Sequence, residues 1–373
     1  MVYVLVAFLI SLVVTLLLVR YNTLHAKYTA DHDLSGVQKY HATPVPRVGG
    51  ISIIAAMFGI CVLVMFREPA LQRELLMLMM VSMPAFLGGL AEDVTKKVRV
   101  LVRLGLAMIS GGAAYFFLGA ELTRLNIVGV DWLLQFTVLS FVCSAVAMAG
   151  AANAINIIDG YNGLAAVISA MIFAGFAYVS YYLGDRLLLV AAVGMIGAIA
   201  GFLVWNYPRG LIFLGDGGAY FIGFMIGVLS VLLLARHPDV SAWFPLLLCI
   251  YPVFETLFSI YRKRFLRGLS PGMPDGVHLH MLVYKRLIRW AGGRDARHRI
   301  KSNAMTSPYL WVLSSFAVIP AVLFWQYQYV LIFFTFLFSV VYLVLYRKLV
   351  RFDMPNWLVM RSRKRRHDKG RVR

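Results

Sequence analysis

The sequence predicts an all-α polytopic membrane protein with about eleven transmembrane helices and its chemistry in the loops of one side. Three observations predict this. Of the 373 residues 61% are hydrophobic and only 14% charged, where a soluble domain carries roughly 25% charged residues. The apolar residues gather into runs long enough to cross a bilayer core, which takes about 20 helical residues. The remaining charges fall almost wholly between alternate runs.

The runs cover residues 2–19, 48–66, 74–91, 101–119, 132–150, 164–183, 187–205, 217–235, 242–261, 308–326 and 330–346. The first has no basic residue before it and no small-x-small cleavage site after it, so it is expected to stay as a span rather than be removed as a signal peptide. The second opens on Gly49 and Gly50 after a proline-stiffened approach. The third ends before Glu92, the fifth before Asn153, and the eighth begins after Asp216. The ninth contains Pro252, which frees a backbone carbonyl and can kink a helix, and Glu255, expected either to pair with a base or to lie near the inner mouth. All are apolar on every side, so lipid or other spans must cover them. Residues 1–347 therefore read as one multi-spanning catalytic domain and 348–373 as a basic tail.

Loops after odd-numbered spans, with the C-terminal tail, hold 30 basic residues, and loops after even-numbered spans hold 5. The positive-inside rule then puts the odd loops and the C-terminus in the cytoplasm and the N-terminus outside. Thirty-six Lys and Arg against 17 Asp and Glu leave a formal net charge of +19. In so apolar a chain the expected anionic neighbours are anionic membrane lipids and phosphorylated substrates; no nucleic-acid motif is present, which argues against nucleic acid. The tail RSRKRRHDKGRVR reads as an anchor on anionic lipid. Cys61, Cys143 and Cys249 lack metal or redox spacing and read as small hydrophobes.

Three acid-bearing segments share the inner side: GGLAEDVTKK with Glu92 and Asp93, NAINIIDGYNGL with Asp159, and FLGDGGAYFIG with Asp216. Carboxylates among Ile, Leu, Phe and Gly are costly without a compensating cation or donors. Each could simply cap a helix or pair with a base, Lys96 and Lys97 in the first case, but capping alone gives no reason for all three to choose one side. A hard divalent ion such as magnesium, or manganese in its place, would compensate Asp216 and Asp159, needing only one or two carboxylates besides substrate phosphates. Asn153, Asn156 and Asn162 bring amides suited to a nucleotide or sugar. The loop PGMPDGVHLHMLVYKR offers His278, His280, Lys285 and Arg286 to a diphosphate, while Arg47 stands at the membrane boundary and Lys96 follows the acidic pair.

Together NAINIIDGYNGLA, FLGDGG and PVFETLFSIYRKR followed by DGVHLH resemble, in that order, the polyprenyl-phosphate N-acetylhexosamine-1-phosphate transferases, related to the phospho-N-acetylmuramoyl-pentapeptide transferases. The likeness spans roughly residues 39–290. It implies transfer of a sugar 1-phosphate from a UDP-N-acetylated sugar to undecaprenyl phosphate at the cytoplasmic face of the bacterial inner membrane, with magnesium and release of UMP, beginning O-antigen or a related polymer. On this resemblance the paired acids fall on Glu92 and Asp93, the asparagine-rich loop on Asn153, Asn156 and Asp159, the Gly-Asp motif on Asp216, and the histidine loop on His278 and His280. Glu92 stands where the family commonly has Asp, and Met281 where it often has His. Asp93, assisted by Glu92, is expected to orient or deprotonate the lipid phosphate; His278, His280 and Arg286 are expected to spread the charge on the departing UMP. A secondary transporter and a lipid-phosphate hydrolase are the competing readings. The sequence leaves the sugar open among GlcNAc, FucNAc and QuiNAc, and keeps a homodimer only as an expectation.

Overall fold

A computed structural model of the chain describes residues 1–22, 45–268, 270, 275–288 and 296–353. The predicted basic anchor at 361–373, and parts of the 39–50 and 262–307 segments, lie outside the described residues. The helices are α1 (Val2–Arg20), α2 (Gly50–Arg67), α3 (Pro69–Thr95), α4 (Val100–Leu118), the short α5 (Val130–Leu133), α6 (Thr137–Ile158), α7 (Leu164–Leu183), α8 (Arg186–Asn206), α9 (Gly215–Arg236), α10 (Trp243–Leu248), α11 (Ile250–Tyr261), the short α12 (Leu279–Val283), α13 (Ala296–Leu323) and α14 (Gln328–Arg351). Ten are long and apolar enough to cross a membrane by themselves.

The predicted ninth span is two helices, α10 and α11, parted at Cys249. Pro252 explains the break: it has no N–H to bond the carbonyl of Leu248, and its ring crowds the position a continuous helix would give that carbonyl. Three other predicted spans stop too early, the last of them at 346 where α14 runs on to Arg351. Helix α3 continues past residue 91 to Thr95, and α6 past 150 to Ile158. Hydropathy falls where the polar residues begin, but helical hydrogen bonding does not. As a result Glu92, Asp93, Asn153 and Asn156 sit on the last turns of helices rather than on loops.

Helix α9 is the centre of the bundle. Nearly all of it is buried, from Gly215 to Leu234, among α3, α6 and α2. Gly223 and Gly227 let it press on the backbone of α6 at Ala152 and Met148. Helices α1, α7 and α8 form a layer on one side; α13 packs on α7, and α14 packs on α10. The ends of α2, α3, α4, α6 and α9 nearest the acid-bearing segments meet at one end of the bundle, through side-chain contacts to Asp216 and the backbone beside it.

Candidate active site

The site is built around the first turn of α9. The segment before α2 runs alongside the segment before α9: Phe213 N–H donates to the Pro46 carbonyl, Gly49 N–H to Phe213, and Gly50 N–H to Leu214, each at 2.9 Å. This pairing fixes Arg47. Gly215 at φ +77° turns the chain into α9, a conformation that L side chains avoid, and a β-carbon there would also stand 2.6 Å from an Asp93 oxygen. The turn exposes the first N–H groups of α9, and Asp93 takes two of them: its Oδ1 accepts from Asp216 N–H and its Oδ2 from Gly217 N–H, both at 2.8 Å. A carboxylate at a helix N-terminus satisfies orphan donors and the helix dipole together.

Asp216 is the meeting point. Arg103 of α4 donates to its Oδ2, and Asn156 of α6 donates to its Oδ1 at 2.7 Å. Arg47 holds Nη2 3.5 Å from Oδ1 of Asp216 and Nε 3.9 Å from Asp93, with about a third of its side chain open. The Arg103 guanidinium lies 5.5 Å over the Tyr220 ring, and the Tyr220 hydroxyl donates to Asn153 at 3.4 Å. Asp159 ends α6 close enough to feel both Arg47 and Asp216. Burial raises its carboxyl to about 7; Arg47 opposes that rise and Asp216 reinforces it.

The histidine loop joins this cluster through the turn after Asp159. His280 is fully buried, with its ring edge-on to Tyr161 at 5.7 Å and its Nε2 3.3 Å from where a β-carbon of Gly160 would sit. Among the described residues, neither ring nitrogen has a hydrogen-bond partner. Burial, and then the neighbouring His278, lower its pKa to about 3, so it is neutral at physiological pH. His278 stacks parallel on His280 at 5.3 Å and holds Nδ1 2.8 Å from Glu255. Of the two expectations for Glu255, the buried one with a basic partner is what the structure has.

Other candidates are placed differently. The Glu92 carboxylate accepts from Val98 N–H at 2.6 Å, closing the turn after α3. Lys96 is the exposed left-handed residue at that helix end, φ 55°. Asn162 donates to the Pro208 carbonyl and is held by Asn303 and Ser307, so it ties the α6–α7 turn to α13 and the 208 loop. Lys285 donates to the Gly276 carbonyl at 2.6 Å, and Arg286 lies 3.5 Å over the Phe352 ring. The structure thus brings Arg47, Asp93, Asn153, Asn156, Asp159 and Asp216 to one place with His280 beside them, and sets Glu92, Asn162 and Arg286 to bonds outside it.

The sequence model of glycosyl transferase family 4 matches residues 75–234. This chain is 29% identical over 291 residues to a probable undecaprenyl-phosphate N-acetylglucosaminyl 1-phosphate transferase of Bacillus subtilis, covering 75% of this chain and 77% of that protein. It is 27% identical to the undecaprenyl-phosphate alpha-N-acetylglucosaminyl 1-phosphate transferase of Escherichia coli K12 and 28% identical to that of Salmonella typhi, covering 68% of this chain and 69% of each relative. The chain is thus similar to glycosyl transferase family 4 over residues 75–234 and to these transferases over about two thirds to three quarters of its length.

Two residues that touch the cluster are not among the candidates the sequence offers. Arg103 was visible as a charge just inside a span, and an intramembrane arginine next to an intramembrane acid search would have found it. Tyr220 gave no such signal, because a tyrosine in an apolar run reads as core. Its role comes from lying under Arg103.

Proposed function

We propose that this enzyme uses the α9 site to transfer an N-acetylhexosamine 1-phosphate, N-acetylglucosamine 1-phosphate in the first instance, from its UDP donor to undecaprenyl phosphate. The reading rests on the convergence at Asp216 of two arginines, an asparagine and a neighbouring Asp159, at the end of the bundle to which the basic loops assign the cytoplasm. The transfer makes a lipid-linked sugar diphosphate at the inner membrane and thereby starts a cell-envelope polysaccharide, O-antigen being one such product. Anionic lipid at the same surface would neutralise the basic loops.

Among the described residues, no three His, Cys, Asp or Glu side chains form a closed metal cage. Magnesium does not need one: it keeps several waters and takes one or two carboxylates besides substrate phosphates, which Asp159 and the lone pairs of Asp216 that Arg103 and Asn156 leave over can provide. Bound there, it would neutralise charge on the donor's diphosphate. The protein's own groups do the rest. An oxygen of the lipid phosphate attacks the sugar-bearing phosphorus of the donor, the bond from that phosphorus to the bridging oxygen breaks, and UMP leaves with the electron pair. Two anions must approach, and Arg47 is the partly open cation at the mouth to receive one of them. Asp93 already spends both oxygens on α9, so it holds the turn that presents Asp216; a phosphate largely ionised near neutral pH has little need of a strong base.

The test is purified protein in detergent with labelled UDP-GlcNAc and undecaprenyl phosphate, with and without magnesium. The expected result is UMP and a labelled lipid diphosphate in equal amounts, only when acceptor and metal are both present. UMP release without acceptor would instead mean hydrolysis, and no turnover with any UDP-N-acetylated sugar would overturn the reading.

A further inference from the structure

The last span, α14, begins 94 residues beyond the end of the family match, and it reaches back to the histidine loop at two places. The Tyr342 hydroxyl donates to Glu255 Oε2 at 2.7 Å, and the Tyr346 hydroxyl donates to the Val277 carbonyl at 3.2 Å. One helical turn apart, the two rings stack at 6.4 Å with 9° between planes, so both hydroxyls leave α14 from the same face. Tyr346 also carries the Arg262 guanidinium 5.3 Å over its ring, and Arg262 pairs with buried Asp275 at the start of the loop.

Glu255 is fully buried and accepts from three directions: Tyr342, the Leu279 N–H at 3.2 Å, and His278 Nδ1 at 2.8 Å. A carboxyl group surrounded only by donors is acting as acceptor, which makes Nδ1 of His278 the protonated nitrogen and leaves Nε2 as the ring's working atom. His280, stacked on it, has no such acceptor. The two parallel imidazoles are thereby made unlike: one is backed by a buried carboxyl group at Nδ1, the other has no hydrogen-bond partner among the described residues.

We propose that Tyr342 is a positioning residue of the transferase, acting through Glu255 to set the tautomer and direction of His278, so that the terminal span is part of the catalytic apparatus rather than a membrane anchor. The proposal rests on the transferase reading above, together with the expectation from the sequence that His278 faces the anionic donor. Tyr342→Phe removes only the hydroxyl and keeps the ring against Phe254, Phe258 and Tyr346.

The experiment is a double-mutant cycle in detergent-purified full-length protein: wild type, Tyr342→Phe, His278→Ala and the pair, with kcat and KM for UMP release from UDP-GlcNAc and undecaprenyl phosphate. Imidazole nitrogen NMR of isotope-labelled histidine is recorded on the same samples, His278 being assigned by its loss in His278→Ala. The expected result is a drop in kcat of about tenfold for Tyr342→Phe, the low end of what losing a partner behind a functional histidine costs, and no further drop when it is added to His278→Ala. Unchanged turnover in Tyr342→Phe, or losses that multiply in the pair, would overturn the proposal while leaving the transferase reading intact. If wild type turns over no UDP-sugar, the transferase reading falls and the NMR decides the rest: His278 resonances unmoved by Tyr342→Phe overturn the positioning role, and a changed Nδ1 signal upholds it.

Discussion

The two ends of α9 obey the same electrostatic rule and reach different outcomes. At the C-terminal end, Arg124 donates to the carbonyls of Leu234, His237 and Val240 at 3.3, 3.0 and 2.8 Å, placing a cation on one carbonyl of the last helical turn and two of the segment that follows. The acids there are answered: Glu74 pairs with Arg236 at 2.7 Å, and Asp185 with His237 at 3.0 Å and Arg236 at 3.6 Å. At the N-terminal end Asp93 caps the helix by the mirror-image logic, yet three acids, Asp93, Asp159 and Asp216, face two arginines, Arg47 and Arg103. A buried imidazole with no hydrogen-bond partner among the described residues stands beside them. Capping is therefore no sign of function in itself. The unbalanced acid, the partly open arginine and the unsatisfied ring separate a site from a well-finished helix end.

The largest test of that difference is Asp216→Asn. It removes the charge on which that cluster converges while keeping the shape, and kcat/KM for UMP release should fall about a thousandfold with little change in thermal midpoint. A loss of less than tenfold would reduce the N-terminal end to another cap. Arg124→Ala at the C-terminal end should do the reverse. It leaves carbonyls of the last α9 turn and the segment that follows without their donor, so thermal unfolding in detergent should show a loss of about 1 to 3 kcal/mol, with kcat/KM within about twofold of wild type.

A smaller effect comes from His280. Its pKa is about 3 in the folded chain against an ordinary value of 6.5, so between those values the unfolded chain binds a proton that the folded chain does not. Stability should therefore fall as pH drops from about 6.5 toward 3. His280→Phe should flatten that part of the profile, measured as the thermal midpoint at pH 7 and pH 5, and equal slopes in the two proteins would show that His280 is not the group responsible. The smallest effect belongs to Glu74→Gln. Glu74 is well exposed, and its ion pair is worth about 0 to 1 kcal/mol at most, so neither turnover nor midpoint should move appreciably.

Much of the site was legible in the chain, for definable reasons. Asp93, Asp159 and Asp216 stand out because a carboxylate in an apolar run needs a partner, and the bias of basic residues puts all three on one side. Asn156 was legible as an amide near Asp159, though its bond is to Asp216, sixty positions away. Glu92 and Asp93 look interchangeable as neighbours, but adjacent residues on a helix point about 100° apart, and only Asp93 is buried against α9 while Glu92 closes a local turn. Asn162 shares the motif's polarity and is used to hold loops together.

By itself the sequence determined the all-α class, the approximate place of ten apolar spans, the sidedness of the charges and the acids that could not be buried alone, because transfer into lipid is a local cost that each segment meets from its own composition. Only the tertiary structure decided which groups meet. Arg103 reaches Asp216 across 113 positions and Tyr342 reaches Glu255 across 87, and the ninth span breaks so that Glu255 can face the histidine loop. Such pairings depend on helix rotation and on which spans are neighbours, and those are set by packing over the whole bundle rather than by any one stretch of residues.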